Sequence, residues 1–125
     1  MSIPTYLRIL EEKVFLGVEV EKSKVHMSFE DELKLIVECS DSGPHIVSLP
    51  DLPKKVDTAK CSFRIDENCI GEEFCINKYK FTFDDGSVFR FEFESDPDSY
   101  YQNEITFLVK GQKIYGWEYE YLNLY

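Results

Sequence analysis

Glu92 and Glu94 stand two residues apart, and Glu118 and Glu120 repeat that spacing near the end of the chain. On a strand, residues i and i+2 point to one side, so each pair presents two carboxylates together. Glycoside hydrolysis uses such a pair, about 5–9.5 Å apart across a sugar in a concave cleft. Here the pairs alternate with Phe91 and Phe93, and with Trp117 and Tyr119. The carboxylates therefore oppose an aromatic face, and a solvated outer sheet face is the expectation.

Asp84-Asp85 and Asp96-x-Asp98 are oxygen-rich, but neither has the spaced ligand loop of an EF-hand. Followed by Gly86 or split by Pro97, they read as turn chemistry, with aspartate bonding its own backbone. His26 and His45 have apolar neighbours; His26 reads as an outward strand residue and His45 as a loop-edge residue after Pro44. Cys39, Cys61, Cys69 and Cys75 have no Cys-x-x-Cys pair and no zinc-finger spacing. Cys39 and Cys61 continue apolar alternations and read as small core residues. The chain has no glycine-rich phosphate loop, no Gly-x-Ser-x-Gly and no His-Glu-x-x-His. The expectation is a protein that is not an enzyme, with no catalytic residues, no metal and no cofactor.

The element that must position everything else is Lys78–Glu94. Its aromatics fall at 79, 81 and 83, then at 89, 91 and 93, the period of two of half-buried strands. A two-residue loop at Asp85-Gly86 would send the two triplets to opposite faces. A three-residue loop, Asp84 to Gly86, pairs Phe83 with Ser87, Phe81 with Phe89 and Tyr79 with Phe91. It puts all six on one face, with Gly86 in the left-handed position. That loop is the expectation, and it sets Lys80 opposite Arg90 on the outer face.

Around it, alternating segments start near Val14, Val25, Leu33, His45, Cys61, Ile105 and Lys113, with Gly17 marking a bulge or a close neighbour. Thr5–Lys13 is compatible with a short helix or a strand. Pro50–Lys60 reads as a surface loop. Eight or nine short strands without helices predict a single all-β domain over 1–125, an antiparallel β-sandwich or jelly roll of about eight strands. The 125 residues are 43% hydrophobic and 15% aromatic, enough for a core without disulfides.

The formal charge is −10, from 24 acidic and 14 basic residues. Such a surface repels nucleic acid and anionic membrane and attracts basic proteins. No apolar run approaches the roughly 20 residues that span a bilayer, and Met1–Pro4 lacks the start of a secretory signal. The expected location is nuclear or cytoplasmic, with no membrane and no direct nucleic-acid contact. From Asp84 to Tyr125 there are nine acidic against three basic residues, gathered with the aromatics of the last strand. Acidic groups around aromatics suit a basic segment. The candidate partner-binding residues are therefore Glu92, Glu94, Trp117, Glu118, Tyr119, Glu120 and Tyr121.

Two stretches resemble the nucleoplasmin-like domain, the family of the nucleoplasmins and of the amino-terminal domains of some nuclear prolyl isomerases and plant histone-deacetylase-like proteins. Phe15-Leu16-Gly17-Val18-Glu19-Val20 is similar to the family's opening strand. Ile105–Tyr119, with its turn at Gly111 and then Ile114 and Gly116, is similar to its closing strands. The resemblance implies an eight-stranded jelly roll that assembles into a homo-oligomeric ring. It implies a chaperone or platform for basic proteins such as histones. The family's long acidic tracts have no counterpart here. Two other expectations stand beside it: a monomeric or dimeric peptide-binding adaptor of a larger complex, and a small β-barrel binding an apolar ligand.

Overall fold

The computed structural model of the protein describes residues 5–39, 43–65, 75–95 and 103–118. A 3₁₀ helix, Thr5–Leu10, resolves the ambiguity of the opening segment. Ten strands follow: β1 (Val14–Glu21), β2 (Lys24–Phe29), β3 (Leu33–Cys39), β4 (His45–Ser48), β5 (Lys54–Lys55), β6 (Ser62–Ile65), β7 (Cys75–Thr82), β8 (Val88–Ser95), β9 (Asn103–Val109) and β10 (Gln112–Glu118). There is no α-helix among the described residues. One sheet has the order β10-β9-β3-β2-β1-β5 and the other β4-β8-β7-β6, and every pairing is antiparallel. The fold is all-β, a sandwich of two open sheets. The expected turn at Asp96-x-Asp98, and Cys69, lie outside the described residues.

The β7–β8 hairpin has the expected register: Tyr79 faces Phe91, Phe81 faces Phe89 and Lys80 faces Arg90. Phe83 N–H donates to Ser87 O at 3.0 Å, and Gly86 N–H to Phe83 O at 2.9 Å. Gly86 has φ +84°. All six aromatics are buried on the inner face, with Tyr79 stacked on Phe91 at 4.9 Å between ring centroids.

Phe15, from β1, joins the second sheet to this face. Its ring meets Phe81, Phe83 and Phe89 edge-on at 5.5–6.3 Å, and Phe29 of its own sheet at 5.0 Å. The register then shifts between Phe15 and Gly17. Gly17 is a bulge residue rather than a close-approach site, because a Cβ there would meet nothing within 4 Å. Inward rows continue across the large sheet: Val18, Met27, Leu35 and Phe107 in one, Val20, Val25, Val37 and Ile105 in the next. Cys39 and Cys61 are buried in this core, as their alternation implies.

Pro50–Lys60 departs from the expectation of a surface loop. Its β5 pairs with β1 through Lys54 and Lys55, and Val56 is buried and bridges to Phe83 of the other sheet. Val56 N–H donates to Lys13 O, Asp57 N–H to Thr82 O and Asp84 N–H to Lys55 O, at 2.8–3.0 Å. The segment is extended because backbone partners exist on both sides of it. Pro50 and the cis Leu52–Pro53 bond come just before the strand.

Tight turns join the other hairpins. Asp31 and Glu32, both at positive φ (62° and 58°), link β2 to β3, and Lys110-Gly111 links β9 to β10 in the same way. Positive φ at both central residues is the turn that favours Asn-Gly or Asp-Gly. Two substitutions should therefore move stability in opposite directions. Gly86→Ala should lower unfolding free energy by about 1–2 kcal/mol, since it forces an L residue into the left-handed region without any clash. Glu32→Gly should raise it by roughly 0.5–1 kcal/mol by removing the same strain. Urea denaturation at neutral pH measures both.

Candidate interaction surface

The sequence-predicted residues divide between the two sheets. Glu92 and Glu94 are on β8, while Trp117 and Glu118 are on β10, the edge strand of the larger sheet. The acidic stretch after Asp84 is therefore not one surface. Tyr119, Glu120 and Tyr121 lie outside the described residues. Trp117 is in register with Ile105, in a row whose Ile105, Val37 and Val25 are buried.

On the outer face of the small sheet, Glu92 sits between Lys78 and His45, and Lys80 faces Arg90. Lys78, Lys80, Arg90, Glu94 and His45 are exposed. Cations match or outnumber carboxylates on this face, so it does not present the acidity that the chain's composition suggests.

The acidic end lies on the outer face of the larger sheet. Antiparallel register lines up Glu21, Lys24, Glu38, Glu104 and Glu118 across five strands. The next row holds Glu19, His26, Ile36, Thr106 and Gly116. Glu38 faces Glu104 directly. Like charges in that relation destabilise a sheet. Relief is partial: Lys24 Nζ lies 3.9 Å from Glu38 Oε2, and Thr106 Oγ1 donates to Glu104 Oε1 at 3.3 Å. His26 is half-buried; its Nε2 has no hydrogen-bond partner and lies 3.6 Å from Glu21 Oε2. Composition showed the acidic surplus, but only strand order shows that residues 21, 38, 104 and 118 share a line.

Other chemistry finds little footing. Among the described residues no three His, Cys, Asp or Glu side chains gather as a metal site would need. No helix among them is long and apolar enough to cross a membrane. The interior is filled with rings, and a recess of about 310 Å³ lies between the Asp31-Glu32 and Lys110-Gly111 turns, lined by Glu32, Lys34 and Lys110. Among the described residues the two sheets are open and close no barrel.

The Asp85 turn is structural, as its Asp-Gly sequence implies. Asp85 pairs with Lys54 of β5 and accepts from Ser87 N–H at 2.9 Å and Ser87 Oγ at 2.5 Å. The Lys54 bond first, then those from Ser87, hold its carboxyl well below the usual carboxylate range. A lowered folded pKa stabilises the protein above the unfolded value of about 3.9, and that contribution fades as pH falls below it. Asp85→Asn should thus be less stable than the parent at pH 7, and the gap should close as thermal melts are taken below about pH 4.

Burial pushes the Cys61 thiol up to about 11. At pH 7.5 the folded protein should show almost no iodoacetamide adduct at Cys61, since the thiolate is the nucleophile. Denaturant should restore labelling, with peptide mass mapping as the readout.

Comparison of the chain with protein-family models, with curated proteins and with solved structures finds no match.

Proposed function

We propose that this domain is a non-enzymatic protein-interaction module whose partner is basic, engaged at the acidic end of the larger sheet's outer face. The observation that carries this reading is the line Glu21, Glu38, Glu104 and Glu118, interrupted only by Lys24. Folding gains nothing from aligned like charges, whereas a cationic partner would be steered by them and would relieve their repulsion. The opposite outer face, with Lys78, Lys80 and Arg90, would point away from such a partner.

A nucleoplasmin-like jelly-roll ring that chaperones histones in the nucleus or cytoplasm is one version of this reading. It is supported by the similarity of Phe15–Val20 and Ile105–Tyr119 to that family. In this chain those stretches supply β1, β9 and β10 of a single sheet. Size-exclusion chromatography with light scattering tests it: a strict monomer that does not retain core histones at physiological salt removes the ring version.

The acidic-face reading has its own test. Glu38→Lys/Glu104→Lys should fold normally and lose about tenfold or more in affinity for core histones, measured at fixed salt. Lys80→Glu/Arg90→Glu should leave that affinity unchanged or raise it slightly. Equal losses from both double variants would mean the interaction is not localised to this face.

A further inference from the structure

The strand β1 leaves an edge open. It pairs with β2 along its length, but on the other side β5 covers only Val14 and Phe15. From Leu16 to Glu21 the outer side of β1 meets no further strand among the described residues. Such an edge is a row of unpaired N–H and C=O groups, and proteins normally blunt it with lysine, proline, a bulge or shortness. The other edges are blunted. β4 has four residues, a register shift and Pro44 and Pro50 at its flanks; β5 has two residues and follows Pro53. β6 has four residues, and β10 carries Lys113 beside a register shift. β1 has a bulge only at the start of this stretch, between Phe15 and Gly17, and from Leu16 to Glu21 there is neither lysine nor proline.

This edge is also apolar. The exposed large apolar side chains among the described residues are Leu16 and Val20 of β1, at 52% and 49%, with Val47 and Leu49 in and after β4. The start of that second segment passes close to the β1–β2 turn, where a Cβ on Gly43 would lie 3.2 Å from Lys22 O. Val20 stands in an inward row whose Val25, Val37 and Ile105 are fully buried. It is the end of a core row left uncovered. Alternating with these residues are Glu19 and Glu21, both exposed and both on the acidic outer face.

We infer that the open edge of β1 from Leu16 to Glu21 takes an added strand from a protein partner, an extended segment that alternates apolar and basic residues. The inference rests on the acidic-face reading above and names the form in which the basic partner is held. Backbone bonding to a sheet edge selects an extended chain, and the alternation of β1 selects its side chains. Residues opposite Val18 and Val20 fall on the core side and are apolar. Residues opposite Glu19 and Glu21 fall on the outer side and are Lys or Arg, where opposite charges stabilise a cross-strand pair. A second copy of this chain is the poorer occupant, because β1 against β1 brings Glu19 and Glu21 against their own kind and adds a chain of charge −10 to another.

The test uses the full chain, isotope-labelled for NMR, with an acetylated and amidated peptide of Val-Lys repeats as probe. The expected result is amide shifts and slowed hydrogen exchange concentrated at residues 16–21. A Val-Glu peptide of equal length should bind at least about tenfold more weakly, and Glu19→Lys/Glu21→Lys should reverse that preference. Two further probes carry N-methyl groups on alternate amides, one in each phase; at least one should lose binding, because an edge-paired strand donates through every second amide. The inference is overturned if both methylated probes bind like the parent peptide, or if shifts fall on Glu38 and Glu104 and spare 16–21. In either case the acidic face still binds cations and the broader reading stands. Equal binding of the Val-Glu peptide, or a concentration-dependent dimer paired through β1, also overturns it. If neither the probe nor core histones bind, both readings fall together.

Discussion

The constraint on which the fold depends is a parity condition in one turn. With three residues between Phe83 and Ser87, both aromatic triplets of the β7–β8 hairpin lie on the same side. One residue fewer would turn three rings to solvent, since a slip of one flips every side chain of a strand. Phe and Tyr side chains bury about 150–250 Å² each, so this choice decides whether a core exists. Gly86 makes it possible by accepting positive φ, and Asp85 reinforces it by capping Ser87. Every other element is arranged to cover the face that results.

Covering it requires that two sheets be held in one relation, and the chain does this with Lys54–Asp57. These four consecutive residues pair with β1, donate to Lys13 O just before it, and bridge to Phe83 and Thr82. Lys54 then reaches Asp85, tying the strand of one sheet to the turn of the other. Phe15, beside this stitch, is where the two sheets' rings converge. The bulge at Gly17 follows at once. β1 is thus pinned at its start by β5, which pairs only with Val14 and Phe15, and its second half meets no outer strand among the described residues.

Some of this was legible in the chain. The hairpin register, the left-handed Gly86, and the buried Cys39 and Cys61 all follow from alternation and turn chemistry within short stretches; Gly17 allowed a bulge or a close neighbour, and it is the bulge. Pro50–Lys60 was not, because a strand of two residues has no period to detect and is extended only through partners far away in sequence. The candidate partner-binding residues divide between the sheets for a related reason. Glu92 and Glu118 are close to the same aromatic-rich C-terminal third, but strand order sends β8 to one sheet and β10 to the edge of the other. Conversely, Glu21, Glu38 and Glu104 are distant in sequence and aligned in space. Local pattern specifies which face a residue takes; it carries no information on which strands become neighbours.

An open edge and a strongly negative charge are usually discussed apart, yet here each conditions the other. An edge strand with exposed Leu16 and Val20 invites pairing with any extended chain, including another copy of itself. Neutral side chains between them would leave the choice of partner to collision frequency. Glu19 and Glu21 instead put a charge on every second position, so a homologous strand meets repulsion and an acidic surface cannot approach. The same carboxylates favour a strand with basic residues at the matching positions. Lysine on the edge would have guarded it against self-association equally well, but within a chain of charge −10 it would have created an attraction for the protein's own acidic face. Glutamate is the edge residue that repels this protein and still admits a basic one.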